Sequence, residues 1–141
     1  MQPGLVFFDS TVGADRVERI IAELRPGSRG HALWPELQTA KGDLIVAKNR
    51  FSAFLPSASE LTGILTAKGI DTVVIAGTLT NVCCESSARD AVMLDFRTVL
   101  VADANAARSD EEHMATLVTF VQSFGDVRTT DEVVALYCKR S

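Results

Sequence analysis

The 141 residues suit a single domain spanning 1–141, and a hydrophobic content of 47% is enough for a sizeable core. A net charge of −4, from 14 basic and 18 acidic residues with no basic cluster, argues against nucleic-acid binding. No apolar run approaches the roughly 20 residues that cross a membrane, and Met1-Gln2-Pro3-Gly4 lacks the basic start of a signal peptide, so a cytoplasmic location is expected.

The start of the chain is the less regular part. Leu5–Phe8 reads as a strand, with Asp9 at its carboxyl end. Ala14–Leu24 has helical spacing, with Val17, Ile20, Ile21 and Leu24 on one side. Pro26-Gly-Ser-Arg-Gly30 is a loop. From residue 43 onward, strands and helices alternate. Asp43–Ala47 is a short apolar strand, and Ser59–Lys68 a helix closed by Gly69. Thr72–Ala76 is a continuous β-branched run of the kind buried on both faces. Val82–Leu94 is helical, with Ala88, Ala91, Val92 and Leu94 apolar, and Arg97–Ala102 is another strand. Ser109 and Glu112 form a capping box for a helix with Leu117, Val118, Val121 and Phe124 on its apolar face. Asp126–Thr130 is a last strand and Asp131–Tyr137 a last helical stretch. Strands alternating with helices imply an α/β fold, a three-layer α/β/α sandwich around a mostly parallel sheet.

In such sheets, sites form beyond the carboxyl ends of the strands. Lys48 follows one predicted strand and Cys83 another, so both belong to one rim. Cys83 sits where a helix begins, and free N–H groups there favour a thiolate, the nucleophilic form. Three cysteines without a Cys-x-x-Cys spacing suggest neither a disulfide scaffold nor a metal site. Cys84 is expected to pack on the inner side of the helix, and Cys138 to be inert. Asp103 ends a strand, where structural hydrogen bonding is the simpler role. His113, beside Glu111 and Glu112, is read as a structural or surface group outside the catalytic set. A redox pair of Cys83 and Cys84 is disfavoured, because adjacent cysteines bridge only with strain.

Several segments together resemble the isochorismatase-like cysteine hydrolases, a family that includes nicotinamidases and N-carbamoyl amidases. They are Arg25–Leu37, Val46-Ala-Lys48-Asn-Arg-Phe-Ser-Ala-Phe54 and Gly77-Thr-Leu-Thr-Asn-Val-Cys83, followed by Asp90-Ala91, Val101-Ala-Asp103 and Glu111-Glu-His113. The resemblance covers roughly residues 5–137. It implies a catalytic set of Asp, Lys and Cys, with Cys83 as nucleophile and Lys48 as the cation beside it. It also implies an oxyanion hole from the N–H groups of Leu79 and Cys83, with a cis peptide at Thr78–Leu79. Trp34 and Phe51 are candidate walls for a small substrate, while Phe54 suits a wall or the core equally.

The family's proton shuttle lies in an Asp-x-Gln motif on a first strand, and these residues contain no Asp-x-Gln. The chain therefore reads as abbreviated at its N-terminus, with Asp9 the local substitute for the shuttle. The metal cluster of the family's nicotinamidases is carried by that same first region, so no metal and no other cofactor are expected. A sheet lacking its first strand would expose an unpaired edge, which predicts a homo-oligomer. The function implied is hydrolysis of a small-molecule amide or related C–N bond through a covalent Cys83 intermediate. Members acting on isochorismate cleave an ether instead. The alternative is a catalytically impaired relative that serves as an oligomerisation or interaction module.

Overall fold

The computed structural model describes residues 13–138. The expected strand Leu5–Phe8 and its Asp9 lie outside the described residues. By its internal contacts the chain divides into two compact units, Met1–Leu44 and Ile45–Ser141.

In the first unit, α1 (Ala14–Glu23) follows Gly13 and matches the predicted helix to within a residue. Val17 is its buried position, whereas Ile20 and Leu24 of the predicted apolar side are exposed. A series of turns follows, including the expected loop around Pro26–Gly30.

The second unit holds the sheet. Its elements are α2 (Leu61–Ala67), β1 (Thr72–Thr78), a π-helical turn (Thr80–Cys84) and α3 (Glu85–Met93). These are followed by β2 (Arg97–Ala106), α4 (Asp110–Ser123), β3 (Asp126–Arg128) and α5 (Thr130–Cys138). The strands pair in parallel in the order β1-β2-β3, so β2 is central. This is the parallel α/β class that the alternation predicts.

Helix α2 starts at Leu61, two residues later than predicted, because Ser59 is used in the preceding turn. The Ser59 hydroxyl donates to the Ala53 carbonyl and accepts from Leu61 N at 3.2 Å. Its other end is as expected. Gly69 takes φ 65°, its N–H bonds Thr66 O at 3.0 Å, and Ile70 N bonds Leu65 O at 3.0 Å, which is a Schellman stop.

Asp43–Ala47 is not a strand. A strand needs a partner ladder, and among the described residues this run pairs with none of β1 to β3. Leu44 and Ile45 accordingly remain exposed. β1 also differs from its expected burial. Among the described residues it lies at one edge of the sheet with Val74 and Ala76 exposed, while Val73 and Ile75 pack inward.

The core lies on the face carrying Ile75 and Leu100. Cys84, Ala88, Leu100, Leu117 and Phe120 form one cluster. Phe54, Ala91 and Phe96 form a second, with Leu61, Leu65 and Val73 against it. On α4 the inward residues are Thr116, Leu117 and Phe120, and Val118 and Val121 of the predicted face point to solvent. Asp103 fastens α5 to the end of β2. Its Oδ1 accepts from Thr130 N at 2.7 Å and from Thr130 Oγ1 at 2.9 Å, the structural role expected of it.

Past Leu100 the β1–β2 register shifts, so that Gly77 faces Asn105 and only Ala76 stands opposite the stretch Val101–Ala104. Asn105 closes this bulge. Its Nδ2 donates to Ile75 O at 2.9 Å and to Val101 O at 2.7 Å, satisfying carbonyls that the interrupted ladder frees.

Candidate active site

β1 delivers the chain to the site in three steps. Gly77 takes φ 136°, a conformation that a residue with a Cβ avoids. The Thr78–Leu79 peptide is cis, as the resemblance implies. Leu79 is extended, and Thr80 then opens the π-helical turn that runs directly into α3. The helical segment thus begins two residues before the predicted Val82, and Cys83 stands within its first turn.

The wide turn arranges the N–H groups unevenly. The Leu79 carbonyl accepts from Val82 N at 3.1 Å and from Cys84 N at 3.2 Å, and passes over the Cys83 N–H between them. It also separates the two thiols. Cys83 is half-buried, while Cys84 is 5% exposed and packs with Ala88 and Leu100. The packing expected of Cys84 is therefore what the structure has. Its thiol is pushed up to about 11, chiefly by burial and secondly by Cys83. The Lys48 ammonium acts on Cys84 in the opposite direction, more weakly than either.

Lys48 itself is exposed, and its Nζ donates to Arg50 O at 2.8 Å. The irregular segment that carries it is anchored to the helix after the cysteines. Ala53 N donates to Ser87 Oγ of α3 at 3.1 Å, and Asn49 N to Ala58 O at 3.2 Å. Phe54 is 3% exposed and meets Phe96 edge to face at 5.5 Å, so it is a core residue. Phe51, on the same segment, is 53% exposed. Trp34, in the first unit, is 64% exposed. Asp9 lies outside the described residues.

Two long-range bonds within the chain hold the cysteine turn and have no counterpart among the expectations from sequence. Thr80, with no solvent exposure, has its Oγ1 2.9 Å from His113 Nδ1. Asn81 Nδ2 donates to Glu112 Oε2 at 3.1 Å. Of the two roles expected for His113, structural or surface, the bond to Thr80 gives it the structural one. Glu112 departs from expectation. Ser109 Oγ does accept from Glu112 N at 3.3 Å, but the Glu112 carboxylate turns to Asn81 instead of returning to cap Ser109. The capping box was the local signal that placed these residues, but the 31 or 33 positions separating the bonded pairs hid the partners. Among the described residues, no group of three or more His, Cys, Asp or Glu side chains is placed to hold a metal ion, and no helix is long and apolar enough to cross a membrane.

The chain is similar to several known proteins. The chain is 37% identical over 126 residues to the isochorismatase family protein YwoC of Bacillus subtilis, covering 85% of this chain and 66% of that one. It is 36% identical over 113 residues to the ureidoacrylate amidohydrolase RutB of Rhizobium rhizogenes, covering 79% of this chain and 45% of the relative. A crystal structure of a cysteine hydrolase from Pseudomonas syringae pv. phaseolicola superposes with a TM-score of 0.76 at 29% identity, over 88% of this chain and 65% of that one. The chain thus spans about half to two thirds of the length of these relatives. A family model of the isochorismatase domain matches residues 5–132, nearly the whole chain, which therefore belongs to the isochorismatase family.

Proposed function

We propose that this chain hydrolyses a small-molecule amide or related C–N bond through a covalent Cys83 intermediate. The Cys83 thiolate attacks the carbonyl carbon, forming a C–S bond. The C–N bond then breaks and the amine leaves with a proton. Water attacks the resulting thioester, releasing the acid and restoring the thiol. Lys48 supports the thiolate by its charge, and the N–H groups of Leu79 and Cys83 hold the oxyanion. Phe51 contributes apolar wall, and on sequence grounds Asp9 is assigned the proton transfer.

The observation that carries this reading is a half-buried thiol in the first turn of a helical segment, next to a Cys84 on which the Lys48 ammonium acts. The names of the relatives point the same way, one an amidohydrolase and one a cysteine hydrolase. The test is ammonia release from a panel of primary amides, ureido acids and carbamoyl amines. Cys83→Ala is expected to abolish turnover by about a thousandfold or more, and an acyl adduct on the Cys83 peptide should be trapped by mass spectrometry. Full turnover in Cys83→Ala overturns the mechanism.

A second reading is an impaired relative acting as an interaction or oligomerisation module, in which the Lys48 ammonium stays on Arg50 O and serves no thiolate. It predicts no turnover of any panel member and a Cys83 that iodoacetamide modifies no faster than a free cysteine.

A further inference from the structure

The turn that bears Cys83 is held from the side by the first turn of α4. Consecutive residues on one side meet consecutive residues on the other, Thr80 with His113 and Asn81 with Glu112. We propose that this two-point clamp positions the cysteine turn, with His113 and Glu112 acting as positioning residues for the Leu79 and Cys83 N–H groups. The proposal rests on the hydrolase reading for its effect on rate.

Two bonds at adjacent positions fix orientation as well as distance, since the turn cannot rotate about one without breaking the other. The first is fully enclosed. Thr80 has no solvent exposure, so a hydroxyl that lost His113 would be left buried without a partner, which is costly. The second bond carries its own cost. A carboxylate can only accept, so the Asn81 amide must present its NH2 to Glu112. That orientation leaves Asn81 Oδ1 buried with no hydrogen-bond partner. Asn105 Oδ1, whose amide closes the β1–β2 bulge, is orphaned in the same way, so in this fold a buried partnerless amide oxygen accompanies side chains that fix local backbone geometry. The clamp also complements the sparse backbone anchoring, in which Leu79 O takes Val82 N and Cys84 N and omits Cys83 N.

The test compares Thr80→Val and His113→Leu, which remove the enclosed bond, with Thr80→Ser and His113→Asn, which keep a hydrogen-bonding atom in place. Backbone hydrogen exchange in a peptide covering 78–85 should accelerate about tenfold in the first pair, the factor set by one lost buried bond, with β2 unchanged. kcat on the best amide should fall about tenfold while KM stays within about twofold. The conservative pair should restore both. Should either buried variant fail to fold, Glu112→Ala at the exposed bond replaces it, with a rise of about threefold in exchange.

Exchange that rises equally throughout the molecule, or a kcat loss that the conservative variants do not recover, overturns the clamp. If the wild type turns over no amide, the proposed reaction fails, and exchange in 78–85 still decides the clamp.

Discussion

Cys84 shows how one peptide step changes the chemistry of a thiol. It lies against Ala88, Leu100 and Leu117, and burial is the main cause that raises its pKa from 9.0 to about 11. The sign for stability follows. A group whose folded pKa is raised holds its proton more tightly in the folded state, so its contribution is complete below pH 9 and is lost as pH climbs toward 11. We expect the urea midpoint of the wild type to fall across that window, by about 2 kcal/mol in unfolding free energy, and Cys84→Ala to fall less. Equal alkaline losses in both proteins would contradict this. Burial also withholds Cys84 from reagents, whereas Cys83 is half-buried. At pH 8, iodoacetamide should modify Cys83 before Cys84, and peptide mapping that finds Cys84 labelled first would refute the assignment.

Among the elements, two junctions decide how helices meet strands. At the α4–β3 junction, Gly125 passes so close to β2 that an added Cβ would lie 2.4 Å from Thr98 O and 2.8 Å from a Phe120 ring carbon. Neither backbone nor a fully buried ring can yield cheaply. Gly125→Ala is expected to destabilise by about 2 kcal/mol through overpacking, read as a lower urea midpoint with an unchanged slope. At the other junction, Asp103 holds the first residue of α5. The two Thr130 bonds also hold its carboxyl below the usual carboxylate range. A depressed pKa stabilises above the unfolded value and is lost on acidification through the folded one. Asp103→Ala should therefore speed hydrogen exchange in 130–138 at pH 7, and the wild type should come to resemble it only in acid, below pH 3.8. Protection in that segment that is indifferent to the substitution would show that α5 is held by its apolar contacts alone.

Across the whole molecule, what could be read from the sequence follows how local the signal is. β1, β2 and the start of α4 were legible because a β-branched run, a second apolar run and a Ser109 cap each act within a few residues. Asp43–Ala47 was misread because a strand is completed only by a neighbour, and its apolar composition cannot supply one. The apolar face of α4 was misassigned because Val118 and Val121 have the right spacing, while the choice of Phe120 depends on Leu100 and Cys84 across the core. At the site, the motif is what proposes Cys83 and Lys48, and the cis peptide it implies is present at Thr78–Leu79. The clamp was not legible, because hydrogen bonds between residues more than thirty positions apart leave no trace in a single sequence.

This distribution predicts where the protein resists opening. Both core clusters draw on residues between 53 and 127, and β2 is paired on both edges. By contrast 32–47 forms no helix or strand, has two backbone turn bonds, Leu37 N to Trp34 O and Asp43 N to Ala40 O, and is almost wholly exposed. Native-state hydrogen exchange should therefore find the slowest amides in β2 and around Phe120, exchanging only through global unfolding, and the fastest of these in 32–47. Phe120→Ala, which should cost about 3–5 kcal/mol, would speed the first set strongly and leave the second unchanged. Protection in 32–47 equal to that of β2, or rising and falling with it, would contradict the exposure of this segment.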